Sequence, residues 1–380
     1  MKQNMKEQLL TKTPLSLMFQ LSIPAVIGML VIGLYPLMDG IFAGNIIGQS
    51  AMTACGVALP LTFFNSGTST LLGVGSASIL SRALGKGDKE TVDKIMGNLI
   101  YWVILFSIII TVGGIFLAPH FLDLVGAEGE IKELGVRYLR VLFLGSIFVN
   151  FTQSANMVMR GEGLMKRAMG IMALGAFINI ALDPIFMKAM GEYAIEGAAI
   201  ATVIAQVIQA LVTLYYFKNK SENVKIGRIC KQKEIYKEMF GVGVSAMVMQ
   251  VFFMIQQTLL YKQAFAYGGN TAGTLMAATL RIYAFSFIPL WGMSQGLQPV
   301  VGTNFGAKQY DRVRQAMKVF CLGGLVLAAI FWIPAQLFSG QILSAFNVDP
   351  SIIAGGVNHF RMFYRSEEHT SELQSHELIS

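Results

Sequence analysis

The sequence predicts an all-α polytopic membrane protein: two six-helix lobes in a pseudo-two-fold parallel repeat, with the second lobe incomplete at about ten of twelve helices. Three observations carry that expectation: composition, the sidedness of the basic loops, and an internal repeat. Of the 380 residues, 54% are hydrophobic and only 13% charged, against about 25% charged in a typical soluble domain. Many apolar stretches run for about 20 residues, enough to cross a bilayer core of about 30 Å. A large soluble core fits poorly, because stretches such as Ile100 to Ala118 offer no polar face to water. A membrane β-barrel fits poorly too, since barrel strands show weak alternating segments of about ten residues. The 39 glycines suit close approach of membrane helices.

Taken in order, the apolar segments place membrane helices at about 14–43, 51–80, 94–118, 134–158, 165–188, 194–217, 239–265, 272–300, 315–337 and 351–364. Alternate connections then carry the positive charge. One side holds Lys2, Lys6 and Lys12, then Arg82, Lys86, Lys89 and Lys94, then Arg160, Lys166 and Arg167. The same side holds the basic stretch Lys218 to Lys237, and Lys308, Arg312, Arg314 and Lys318. The other side offers Lys132, Arg137, Arg140, Lys188 and Lys262. The positive-inside rule makes the N-terminus cytoplasmic, in a multi-pass protein of a bacterial cytoplasmic membrane. The net charge of +7 is then a topology signal, and no nucleic-acid partner is expected. No cleaved signal is expected, because the first apolar segment is far longer than a signal-peptide core. Cys55, Cys230 and Cys321 lie far apart and predict neither a disulfide nor a metal-ligand spacing.

The chain repeats itself at a constant offset of 221 residues: Gly75 to Met96 aligns with Gly296 to Met317, and Gly75, Gly85, Val92 and Met96 meet Gly296, Gly306, Val313 and Met317. Each copy ends a membrane helix, crosses a short basic loop and enters the next. The offset spans an even number of helices, so the repeats run parallel, about an axis along the membrane normal, as in many secondary transporters. The expected units are a first lobe at 1–217, a cytoplasmic linker at 218–238 and a truncated second lobe at 239–364. Two full copies need about 440 residues. The polar stretch 365–380 matches the in-frame translation of a common sequencing adapter. It is expected to be artefactual, with the natural chain continuing beyond Tyr364.

An ionisable residue inside a membrane helix costs roughly 2.5–3.5 kcal/mol on insertion scales and is functional by default. Asp39 near the far end of the first helix and Asp183 in the fifth are the best candidates. Asn179 and Asp183, four residues apart, share a helix face. Pro184 has no N–H, so the carbonyl of Ile180 loses its usual partner, and the expectation is a helix opened locally around oxygens that serve a proton, a hydronium or a sodium ion. Against this stands a plain structural role: Asp183 paired with a structural partner or capping a broken helix, Asp39 lying close to the outer interface. Thr202 in the sixth helix can complete the site or simply bond its own backbone. Pro24 marks an expected kink in the first helix. In the second half Gln256, Gln257, Arg281, Gln295 and Gln298 are the polar groups; Gln256 and Gln295 are the candidates for a substrate cavity, and Arg281 is expected to snorkel or pair. The 22 methionines and 26 phenylalanines suit an adaptable cavity, although at most positions they face lipid or core.

These residues resemble the multidrug and toxic compound extrusion (MATE) family of secondary transporters over about residues 10–364. The match runs through "LSIPAVIGML…YPLMDGIFAG", "RGEG…GAFINIALDPIF", "EGAAIATVIAQ" and "PLWGMSQGLQPVVGTNFGAK". The resemblance implies two six-helix lobes around a V-shaped cavity, with export of amphipathic, often cationic compounds driven by inward proton or sodium movement. It implies a cation site at Asp39, Asn179, Asp183 and Thr202, with Tyr35, Pro24 and Pro184 in support, no other cofactor, and a monomer in the bilayer. The acid that the norfloxacin-exporter branch carries in the seventh helix is replaced here by Gln256 and Gln257, which favours the DNA-damage-inducible branch. Pro36 departs from the usual polar residue before the Asp. A lipid or lipid-linked oligosaccharide flippase of similar architecture is the alternative. An enzyme is not expected, because no nucleophile–base pair, zinc motif or phosphate-binding glycine loop is found, and a channel is disfavoured by the repeat and the paired carboxylates.

Overall fold

The computed structural model describes residues 5–125, 127–227, 233–345, 353 and 355–364, and leaves some helical side chains undescribed, among them Tyr35, Pro36, Gln257 and Arg281. The expectations placed on those four side chains, on Cys230 and on the tail after Tyr364 therefore lie outside the described residues. The described chain is helical throughout: α1 (Met5–Thr11), α2 (Pro14–Ile46), α3 (Gln49–Lys86), α4 (Lys89–Val125), α5 (Gly129–Leu144), α6 (Ser146–Gly161), α7 (Met165–Met190), a 3-10 turn (Gly191–Tyr193), α8 (Ala194–Asn219), α9 (Lys233–Gly306), α10 (Tyr310–Leu337) and α11 (Ser339–Ala345). Strands are absent among the described residues.

Four helical stretches are long and apolar enough to cross a membrane by themselves: Pro14–Ile46, Lys89–Leu124, Met165–Asn219 and Tyr310–Leu337. A fifth span is the pair α5 and α6, bent by 59° at Gly145. The sequence predicts one straight helix over 134–158; the bend divides it. Ser146 and Asn150, at the start of α6, enter a buried network: Asn65 donates to Ser146, Ser69 to Asn150, and Asn150 to both Asn65 and Ser107. These bonds satisfy polar groups that lipid would leave bare.

The largest difference from the sequence expectation is α9. It is one helical run of 74 residues where two helices, 239–265 and 272–300, are expected. It is not a straight rod. Glu238 near its start forms an ion pair with Arg82 at 2.5 Å. At its end, a Cβ on Gly306 would stand 2.2 Å from the Arg82 carbonyl oxygen. A straight helix would hold those two positions about 100 Å apart. The run therefore turns back on itself.

The same contacts expose the repeat in three dimensions. At the 221-residue offset Gly85 corresponds to Gly306, and Arg82 to Thr303. A Cβ on Gly85 would stand 2.1 Å from the Thr303 carbonyl oxygen, the mirror of the Gly306–Arg82 contact. Ser81 corresponds to Gly302, and these two face each other directly: a Cβ on Gly302 would stand 2.0 Å from Ser81 Oγ. Contacts that recur with the partners exchanged are the signature of a two-fold relation, and the axis passes between Ser81 and Gly302. The α3–α9 pair is the most extensive helix–helix interface in the molecule.

The basic turns gather at one end of the bundle, where Arg82, Gly87, Gly163 and Gly306 lie near α1 or each other. At the opposite end two basic residues are paired. Arg137 bonds Glu196 and the Glu192 carbonyl and lies over the Tyr193 ring, and Lys132 pairs with Asp123. Two charges at the basic end behave differently from the solvated loop residues expected. Arg160 is buried, and so is Glu162, neither of whose oxygens receives a hydrogen bond from a described residue. Burial pushes the Glu162 carboxyl up to about 8, with Arg167 opposing and Glu222 adding to the shift.

Two outcomes follow. Gly306→Ala forces a methyl into backbone, so folded yield should fall and stability drop by about 1–3 kcal/mol, read by thermal unfolding in detergent. Folded Glu162 holds its proton to about pH 8, whereas the unfolded chain releases it near 4.5. Its contribution is fully present below pH 4.5 and is lost as pH rises to about 8. Thermal unfolding of Glu162→Gln should lose that decline and exceed the parent above pH 8 by about 1–3 kcal/mol.

Candidate ion-coupling site

Asp39, Asn179, Asp183 and Thr202 come together between α2, α7 and α8, far from the basic end of α2. Asp183 is 0% exposed and Asp39 5%; Asn179 and Thr202 are buried with them. One amide organises the group. Asn179 Nδ2 donates to Asp183 Oδ1 at 2.9 Å and to Thr202 Oγ1 at 3.0 Å. The first bond is the four-residue neighbour on α7; the second crosses to α8. Thr202 Oγ1 donates in turn to the Ala198 carbonyl at 3.1 Å. The hydroxyl therefore does both things open to it in the sequence: it bonds its own backbone and accepts from the site.

The close approach of α8 to α7 makes the crossing bond possible. A Cβ on Gly197 would stand 2.8 Å from the Phe186 carbonyl oxygen. Glycine there brings Thr202, a little over one turn on, within reach of Asn179. Gln209, two turns below Thr202, donates to the carbonyls of Ile171 and Met172 and fixes the same helix pair lower down.

The carboxyl groups of Asp39 and Asp183 lie within hydrogen-bonding reach of each other. Asp39 Oδ1, Asn179 Oδ1 and Asp183 Oδ2 are buried and accept no hydrogen bond from any described residue. Two carboxylates cannot share such a site while both are bare anions. A proton between them, or a small cation among the three oxygens, resolves the conflict. The donor set of two carboxyls, an amide oxygen and a hydroxyl is all hard oxygen, which suits a proton or sodium.

One expectation is corrected. Pro184 does not open the helix: α7 runs unbroken from Met165 to Met190. A lone proline removes one hydrogen bond, and packing against α8 and α2 keeps the run intact. Pro24 lies inside α2, which continues past it as helix. Gln295, a cavity candidate, is half-buried and accepts a hydrogen bond from Arg160 Nη1 at 3.1 Å, tying the two halves of the repeat together. The other cavity candidate, Gln256, is exposed. Gln206 escaped the sequence reading. It lies one turn from Thr202, and its buried Oε1 accepts no bond from a described residue. The four-residue spacing from Thr202 is the signal that would have found it.

The MatE family model matches residues 24–185 and 245–364. The chain is 26% identical over 338 residues to the multidrug export protein MepA of Staphylococcus saprophyticus, covering 88% of this chain and 74% of that protein. MepA of Staphylococcus aureus matches to the same extent. Among solved structures, a MOP superfamily transporter from Pyrococcus furiosus superposes with a TM-score of 0.86 at 29% identity, covering 93% of this chain and 79% of that one. A MATE crystallised in complex with MaL6 superposes at 0.87 with 28% identity, over 96% of this chain and 81% of that one. The chain belongs to the MatE family, the multidrug and toxic compound extrusion transporters, and has their two-lobe, all-helical membrane fold.

Proposed function

We propose that the protein exports amphipathic, often cationic compounds from a bacterial cytoplasm in exchange for protons or sodium ions, by alternating access between its two lobes. The observation that carries this reading is the adjacent acidic pair Asp39–Asp183, buried in the first half, with three acceptor oxygens left for a cation. Support comes from the relatives: MepA is a multidrug export protein, and a MATE has been solved in both straight and bent conformations.

In this reading the lobes are 1–217 and 239–364, joined by the basic linker 218–238, and the basic end faces the cytoplasm. A cation enters from outside and binds between Asp39 and Asp183. Asn179 holds Asp183 and Thr202 in register while the charge changes. Neutralising the pair removes the repulsion between α2 and α7 and alters the packing of α2 around Pro24. The compound leaves outward, the lobes reverse, and the cation is released inward. Only the difference in affinity between the two conformations drives the cycle.

The test is dye efflux from vesicles carrying the protein, under an imposed pH gradient or an imposed sodium gradient. Transport driven by one gradient names the ion. Asp183→Asn should abolish gradient-driven efflux while leaving expression intact, and full activity in that variant would sink the assignment. Thr202→Val keeps the shape and loses one oxygen, so the ion concentration for half-maximal transport should rise about tenfold.

A further inference from the structure

Helix α1 touches both halves of the repeat at the basic end. Leu9 is fully buried and belongs to the main apolar core with Leu84, Met165 and Leu297. Met5 and Leu9 lie over the α6–α7 turn of the first half, where a Cβ on Gly163 would stand 3.1 Å from Met5 Cγ and 3.2 Å from Leu9 Cδ1. Gly163 has φ +79°, a conformation glycine adopts without strain. The other face of α1 is held by the second half. Asn304 Nδ2 donates to the Leu9 carbonyl at 3.0 Å, and Arg312 Nη2 donates to the Lys12 carbonyl at 2.6 Å. Arg312 Nε also donates to Asn304 Oδ1 at 3.1 Å, which aims both donors at the strand of chain leaving α1.

A helix of seven residues does not hold its shape in water. Its order here comes from these contacts, which belong to both halves at once. At the same end, Arg160–Gln295 and Arg82–Glu238 also tie the first half to α9. We propose that α1 is a strap that locks the halves together on the cytoplasmic side, and that it must leave Asn304 and Arg312 before the halves can part there. The inference rests on the alternating-access reading above. Parting the halves separates Gly163 from Asn304, and α1 cannot remain on both. The carbonyls of Leu9 and Lys12 end helix α1 and take water readily once released, so the strap can leave and return.

The test uses a thiol at the closed interface. Ser81 is buried against Gly302 on the axis between the halves. With the native cysteines replaced by serine, Ser81→Cys is labelled by a membrane-impermeant maleimide from the cytoplasmic side. Asn304→Ala, or Leu9→Asp where that variant does not fold, should raise the labelling rate about tenfold, the effect of losing one or two hydrogen bonds on a two-state opening. A control thiol at Ala155, buried inside the first half, should label at the parental rate. An unchanged rate at Ser81→Cys in both variants would overturn the proposal, and so would an equal rise at Ala155→Cys, which reports general loosening. Labelling needs no transported compound. Absence of dye efflux would count against the antiport reading and leave this result standing, and unchanged labelling would leave that reading standing.

Discussion

The arrangement depends on keeping two carboxyl groups side by side away from water. Asp39 and Asp183 sit on different helices, and each would repel the other as a bare anion in a medium that screens little. The fold accommodates them by surrounding Asp183 with oriented partners while leaving oxygens open to a cation. Asn179 is the organiser: its single amide nitrogen reaches both Asp183 and Thr202. The pair is then stable when it holds one positive charge and strained when it holds none. A difference of that kind, placed between α2 and α7, is what a conformational exchange needs in order to be driven by an ion.

The second constraint is the interface between the halves. It is made of small residues and backbone, with Gly85, Gly302 and Gly306 admitting contacts that any side chain would block. Hydrophobic driving force is weak between helices in lipid, so close van der Waals approach has to hold them. Side-chain ties from Arg160 and Arg82, and the strap at α1, add holding at the basic end. At the opposite end Arg137 and Lys132 are paired within the first half.

Much of this was legible in the sequence because membrane burial makes polar residues conspicuous. Asp39, Asn179, Asp183 and Thr202 stand out from apolar surroundings, and four-residue spacing puts Asn179 beside Asp183. The 221-residue repeat was legible too, although the contacts of Gly85 and Gly306 across the axis emerge only in the structure. Other features left no such mark. Pro184 looked like a break, yet one missing hydrogen bond does not decide a helix packed on two neighbours. Gly145 bends the fourth span with no signal beyond a glycine. Arg160 and Glu162 read as loop charges because composition cannot report that a turn is covered by α1. Gln295 read only as a polar group of the second half, and the fold adds its bond from Arg160.

The central claim is that Asp39 and Asp183 together hold one monovalent cation. The most direct measurement is the number of cations bound per chain, taken as proton uptake by titration and sodium binding by equilibrium dialysis. The account predicts one cation per chain, displaced by a transported compound and lost when Asp183 is replaced by Asn. Binding unaffected by that substitution, or two cations bound independently by the two carboxyls, would contradict it.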